Sequence, residues 1–170
     1  MTAVVEIFKD QKKLYRPTDN PGAVLQAEVI PGIPALYSGA SLLGEPLTHD
    51  FAAIRLSDLL MPWELIESRL DAAAKSDFVI VLYNPKSKKC KGHLEKAQQI
   101  VFKYREGDTP VGIVVSAMRK DQDVRIFPLK ELYLADVNMQ TIVFIGSSTS
   151  VRHLGFMVTP WGYRRKCNVG

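Results

Sequence analysis

The run Phe78-Val79-Ile80-Val81-Leu82-Tyr83 constrains this chain more than any other stretch. Uninterrupted apolar residues over that length suit a strand covered on both faces. Pro85 stops it, because proline has no N–H to give to a ladder and biases Asn84 away from the helical region. A basic loop follows with Lys86, Lys88, Lys89 and Lys91, and beyond Gly92 the residues Leu94, Ala97, Ile100, Val101 and Tyr104 recur at helical spacing. The order is strand, polar loop, helix. Ligands of open α/β sheets sit where strands end and loops begin, so ammonium groups at that place fit an anionic ligand. A solvated lysine-rich turn explains the same charges.

The rest of the chain alternates in kind. Residues 1–15 are weakly amphipathic and predict a helix that begins without a cap; 16–22 form a turn and Val29-Ile30 a short strand. Pro34 and Ala35 open a small-residue helix through Tyr37, Ala40, Leu42 and Leu43, which Gly44 and Pro46 close. Its N-terminus, meeting a strand end, offers N–H groups to a ligand. Residues 49–57 alternate as a strand, with Ala52, Ile54 and Leu56 on one face. Pro62 starts a helix striped by Leu65, Ile66, Leu70 and Ala73, and the helix after the lysine loop is expected to end near Tyr104. Strands are predicted at 111–115, 124–127 and 141–146, a short helix at 129–134, and an edge strand at 156–158. Strands and helices in alternation predict a layered α/β architecture.

Composition narrows the function classes. With 46% apolar and 24% charged residues over 170 positions, the chain is globular and of ordinary soluble character. Its net charge of +4 concentrates at the lysine loop and at Arg164-Arg165-Lys166. Neither cluster interleaves aromatics as a single-strand platform does, so no nucleic-acid partner is expected. Cys90 and Cys167 have no metal-ligand spacing and fit reduced thiols, and no apolar run reaches the length of a membrane span. The expectation is a cytoplasmic protein with no membrane partner. His49, His93 and His153 are scattered in sequence, and ordinary structural or surface roles are expected for all three.

Several segments then act together: 29–35 (Val-Ile-Pro-Gly-Ile-Pro-Ala), 47–51 (Leu-Thr-His-Asp-Phe), 56–60 (Leu-Ser-Asp-Leu-Leu), Pro62-Trp63-Glu64, Asp77 through the Asn84-Pro85-Lys86-Ser87-Lys88-Lys89 run, Met157-Val158-Thr159-Pro160, and Gly162-Tyr163. In their order they resemble the tetrapyrrole methylases, and within that family the branch that methylates ring carbon 17 of a precorrin or cobalt-precorrin, with ring contraction, in cobalamin synthesis. The resemblance runs along nearly the whole chain. It implies the end of an N-terminal α/β domain over 1–46 and a C-terminal mixed-sheet α/β domain over 47–170. It also implies S-adenosylmethionine as cofactor, a precorrin carrying many carboxylate arms as substrate, and a homodimer. Cofactor contacts are expected on Pro34, Ala35, Tyr83, Asn84, Ser116, Ala117, Phe127 and Pro128, and substrate contacts on Lys86, Lys88 and Lys89. Transfer of a methyl from a sulfonium needs alignment in a water-poor cleft, so no catalytic nucleophile and no metal is expected.

The chain departs from the family at chosen places. The resemblance implies Thr or Ser where Pro34 stands, Asn at Ser116, Gly at Met118, and Thr-Thr at Phe127-Pro128. The family's glycine-rich first loop and Gly-Asp-Pro loop precede the position that matches Met1, so the chain is expected to correspond to the part after them. The alternative is a non-catalytic module that keeps this half-fold to bind an anionic ligand or a partner chain.

Overall fold

The computed structural model describes residues 31–57, 61–85 and 92–161. Two compact units meet in sequence at Gly32, Met1–Gly32 and Ile33–Gly170, and the second carries every element below. In chain order these are α1 (Ala35–Leu43), β1 (Gly44–Glu45), β2 (Phe51–Arg55), α2 (Trp63–Lys75), β3 (Val79–Tyr83), α3 (His93–Val101), β4 (Pro110–Val115), β5 (Asp123–Pro128), a 3-10 helix (Leu129–Leu134), β6 (Thr141–Ile145), β7 (Val151–His153) and β8 (Phe156–Val158). Five strands form a mixed sheet in the order β2-β3-β6-β4-β5, where β2 and β3 are parallel and the other neighbours antiparallel. The middle place belongs to β6 rather than to the strand at 78–83.

The apolar runs follow from what covers them. Successive side chains of a strand point to opposite faces, and here both faces are roofed. Ile80, Leu82, Val111, Ile113, Val143 and Ile145 point into one core with Ile66 and Leu70 of α2 and Ala97 and Val101 of α3. Val81, Val114, Ile142 and Phe144 point into the other, with Leu36, Ala40 and Leu43 of α1 and Met157 of β8. Each of the Val, Leu, Ile, Phe and Met side chains among them contributes about 1.5–3 kcal/mol on full burial.

Helix α1 comes unusually close to the sheet. A Cβ added at Gly39 would stand 2.9 Å from the Phe144 ring, and one added at Gly112 of β4 would stand 2.5 Å from Leu43. Leu43 therefore occupies the space above Gly112. At the helix end Gly44 adopts φ 119, a conformation suited to glycine.

On the opposite edge of the sheet, Arg105 fastens three elements. Its guanidinium donates to the carbonyls of Ala74 (2.8 Å) at the end of α2, of Phe78 (3.3 Å) before β3 and of Gly146 (3.3 Å) after β6. Asp77 lies 2.9 Å from the same guanidinium and accepts from Ser148 N (2.8 Å) and Oγ (2.6 Å). Desolvation pulls the guanidinium below its ordinary pKa, and the Asp77 carboxylate works against that. Nearby, buried Thr159 donates through its N–H to Glu45 O (3.0 Å) and through its hydroxyl to Pro46 O (2.9 Å), while Thr48 Oγ1 donates to the Thr159 carbonyl. These bonds place β8 beside β1.

Several expectations are corrected. Residues 156–158 form the middle strand of a small sheet, β1-β8-β7, not an edge, because the two-residue β1 pairs along one side. Leu65 is 43% exposed and leaves the buried stripe of α2 to Ile66, Leu70, Ala73 and Ala74. Helix α3 ends at Val101, and Tyr104 lies outside it, its hydroxyl bonded to Asp71 (3.0 Å), a hydrogen bond that raises its pKa. Asn84, expected to lie away from the right-handed helical region, does so with φ 51; asparagine is among the residues that tolerate this left-handed state. The expected helix at 1–15, the strand at 29–30, the lysine loop at 86–91 and the basic cluster at 164–166 lie outside the described residues.

Gly112→Ala is expected to destabilise the protein by about 1–3 kcal/mol, since Leu43 must leave its place or β4 must shift. The check is the urea midpoint, which falls while the slope stays constant.

Candidate functional site

Strand polarity gathers the site. β3 and β4 run antiparallel to β6, so the C-terminal ends of β3 and β4 share an edge with the start of β6, and in register Tyr83 faces Ile142 and Val115 faces Thr141. The N-terminus of α1 arrives at that same edge. Between them lies a cleft of about 340 Å³ lined by Ile33, Ala35, Ser38, Tyr83, Asn84, Ser116, Ala117, Arg119, Met139, Gln140, Thr141 and Ile142. Residues distant in sequence are thereby brought together.

Five of the expected cofactor residues, Ala35, Tyr83, Asn84, Ser116 and Ala117, line this cleft. Pro34 caps α1 beside Ala35 in an extended conformation, and its carbonyl accepts from Tyr37 N (3.1 Å) and Ser38 N (3.3 Å). Phe127 and Pro128 are elsewhere, in a second cavity of about 390 Å³ with Pro110, Val151 and Arg152. The reason is antiparallel pairing: Pro128 stands opposite Pro110 while Asp123 stands opposite Val115. The end of β5 is therefore separated from the cleft by the length of β4, about 17 Å at the rise of an extended chain. Lys86, Lys88 and Lys89 lie outside the described residues.

Among the described residues, three of the five non-glycine residues with positive φ lie at or beside the cleft, the others being Asp77 and Leu154. Asn84 (φ 51), Ser116 (φ 49) and Met118 (φ 58) all occupy the left-handed region, which L-residues enter at a cost of about 1–2 kcal/mol each. Such residues persist where surrounding bonds hold them. Here Ser116 donates through N to the Gln140 carbonyl (3.1 Å) and through Oγ to Gln140 Oε1 (2.8 Å), and Met118 N donates to Gln122 Oε1 (2.8 Å). Burial pushes the Tyr83 phenol above its ordinary pKa, opposed by a hydrogen bond from the Leu36 backbone.

Sequence reasoning missed Gln140, Thr141, Ile142, Met139 and Arg119, because only the β6 register and the turn after β4 bring them to this edge. The histidines stand apart from the cleft. His93 is buried, stacks on Trp63 at 4.5 Å and meets the Leu56 carbonyl through Nδ1 (3.0 Å); His49 meets the Pro160 carbonyl through Nε2 (3.1 Å). Among the described residues no group of His, Cys, Asp and Glu is placed to hold a metal, and no helix is long and apolar enough to cross a membrane.

The family model of tetrapyrrole (corrin/porphyrin) methylases matches residues 13–133. The chain belongs to the tetrapyrrole methylase family. Cobalt-factor III methyltransferase of Priestia megaterium is 49% identical over 142 residues, which are 84% of this chain and 26% of that protein. The probable cobalt-factor III C(17)-methyltransferase of Salmonella typhimurium is 43% identical over 139 residues, 82% of this chain and 58% of that protein. The crystal structure of the methyltransferase CobJ shares the fold at a TM-score of 0.77 and 28% identity, over 94% of this chain and 63% of that one. This chain spans less than two thirds of the length of each.

Met118, two residues beyond Ser116, has φ 58, a backbone state that glycine adopts freely. Met118 is 63% exposed, so its side chain has little burial to lose. Met118→Gly is expected to stabilise the protein by about 0.5–1 kcal/mol, the relief of strain less the extra freedom of glycine in the unfolded chain. A lower urea midpoint in that variant would show that the side chain is held by packing.

Proposed function

We propose that this chain forms part of an S-adenosylmethionine-dependent methyltransferase that methylates ring carbon 17 of cobalt factor III or a related precorrin, with ring contraction, in cobalamin biosynthesis. The observation that carries the reading is the convergence of Ala35, Tyr83, Asn84, Ser116 and Ala117 on one cleft. The donor set suits the cofactor. Ile33, Ile142 and the Tyr83 ring offer apolar surface for a base and exclude water; the Asn84 amide and the Ser116-Ala117 backbone offer donors and acceptors; Arg119 offers a cation. S-adenosylmethionine supplies an activated methyl on sulfur. The chain's part is to bind, align and dehydrate the reactants.

Lys86, Lys88 and Lys89 follow directly on Asn84-Pro85, at the end of a strand whose last residue lines the cleft. In this reading they meet the acetate and propionate arms of the macrocycle, for which point charges on flexible stems suit carboxylates of varied position. The proposal places 1–46 with the first domain of the family and 47–170 with the second. A homodimer and a cytoplasmic location belong to it too, and large exposed apolar side chains at Leu154, Phe156 and Trp161 offer surface for pairing. No nucleic-acid partner is part of it.

Calorimetric titration with S-adenosylhomocysteine tests the cofactor half. Saturable micromolar binding, about −8 kcal/mol, is the expected result. No heat from a folded sample would sink it and favour the non-catalytic binding module. For the substrate half, changing Lys86, Lys88 and Lys89 together to Gln is expected to weaken binding of a carboxylate-bearing cobalt corrinoid and leave the Tm unchanged. Equal loss of both would assign the loop a structural role.

A further inference from the structure

We propose that Arg119 is the carboxylate-binding residue of the cleft, an inference that rests on the methyltransferase reading and specifies what its cation recognises. Arg119 is the one formally charged side chain among the described residues that line the cleft. Its charge has no partner among the described residues. Arg105 is spent on Asp77 and on backbone carbonyls, and Arg125 donates to the Asp136 carbonyl at 2.8 Å, whereas Arg119 is exposed and forms no ion pair among the described residues.

What separates it from an ordinary surface arginine is the turn that carries it. Arg119 N donates to the Ser116 carbonyl (2.9 Å) and the Arg119 carbonyl accepts from Gln122 N (3.2 Å), so its backbone is fixed on both sides. Ser116 and Met118, before it, are both in the left-handed region, and Gln140 on the facing turn holds Ser116 by two bonds. A strained and doubly anchored turn presents one guanidinium at a cleft with otherwise uncharged walls. A guanidinium offers two parallel donors that match a carboxylate, and a partly enclosed site strengthens the pair. Two carboxylates are available in the proposed reaction: that of the cofactor's amino acid portion, and those of the macrocycle's acetate and propionate arms.

The test compares the full-length chain with Arg119→Gln and Arg119→Lys by calorimetry, using four probes. S-adenosylhomocysteine is paired with 5′-methylthioadenosine, which lacks the carboxylate; cobyrinic acid is paired with its fully esterified form. If Arg119 binds the cofactor's carboxylate, Arg119→Gln weakens S-adenosylhomocysteine by about tenfold to a hundredfold and leaves 5′-methylthioadenosine unchanged. If it binds a macrocycle arm, the same loss falls on cobyrinic acid and spares the ester. In either case Arg119→Lys recovers part of the affinity, since it keeps the charge and loses the fork. Unchanged affinities for both acids in Arg119→Gln, with the unmodified chain binding them, would overturn this inference and leave the methyltransferase reading standing. An unmodified, folded chain that binds neither acid would overturn both.

Discussion

The seat of α1 on the sheet is the contact on which the rest depends. Gly39 and Gly112 put no side chain of their own between helix and strands, and Leu43 and the Phe144 ring fill the space so made. Protein interiors are packed as tightly as crystals, so a helix docked this closely has little freedom to slide. Because α1 is fixed at its middle and its end, its first residues are fixed as well. They stand at the edge where β3 and β4 finish, and the cleft exists because that helix start closes it.

The two edges of the five-stranded sheet are treated in opposite ways. At the edge away from the cleft, Arg105, Asp77 and Ser148 satisfy one another and the carbonyls that end α2 and β6. Hydrogen bonds to charged groups are worth about 1.5–3 kcal/mol each, and a guanidinium stays protonated even when burial lowers its pKa. That edge also has cavities, lined by Arg105, Asp77 and Ser148 among others, but Arg105 and Asp77 are paired. At the cleft edge the Asn84 amide and the Arg119 guanidinium line the cavity instead. Polar groups left available on a rigid, over-determined frame are what ligand recognition needs, and local strain there is held by the packing of the remainder.

The apolar and helical periodicities were legible because they are local. The runs at 79–83, 111–115 and 141–145 alternate between two cores, and a strand buried on both faces carries its signature in its own residues. The helix starts at Pro34 and Pro62 and the stop at Gly44 were equally plain, since capping depends on neighbouring backbone geometry. Where packing overrode pattern, the reading slipped. Leu65 fits a helical stripe yet faces outward, and Tyr104 continues the spacing of α3 after the helix has ended.

For the cleft, the sequence determined which residue types end β3 and β4, and it pointed to Ala35, Tyr83, Asn84, Ser116 and Ala117 through family resemblance. Only the tertiary structure decided which strand ends share an edge. A run of apolar residues has no direction, so nothing local tells a parallel neighbour from an antiparallel one. With β5 antiparallel to β4, Phe127 and Pro128 finish at the far side; with β6 antiparallel to β3 and β4, Gln140 and Thr141 begin at the near one. Long-range pairing, which no residue encodes alone, drew the boundary of the site.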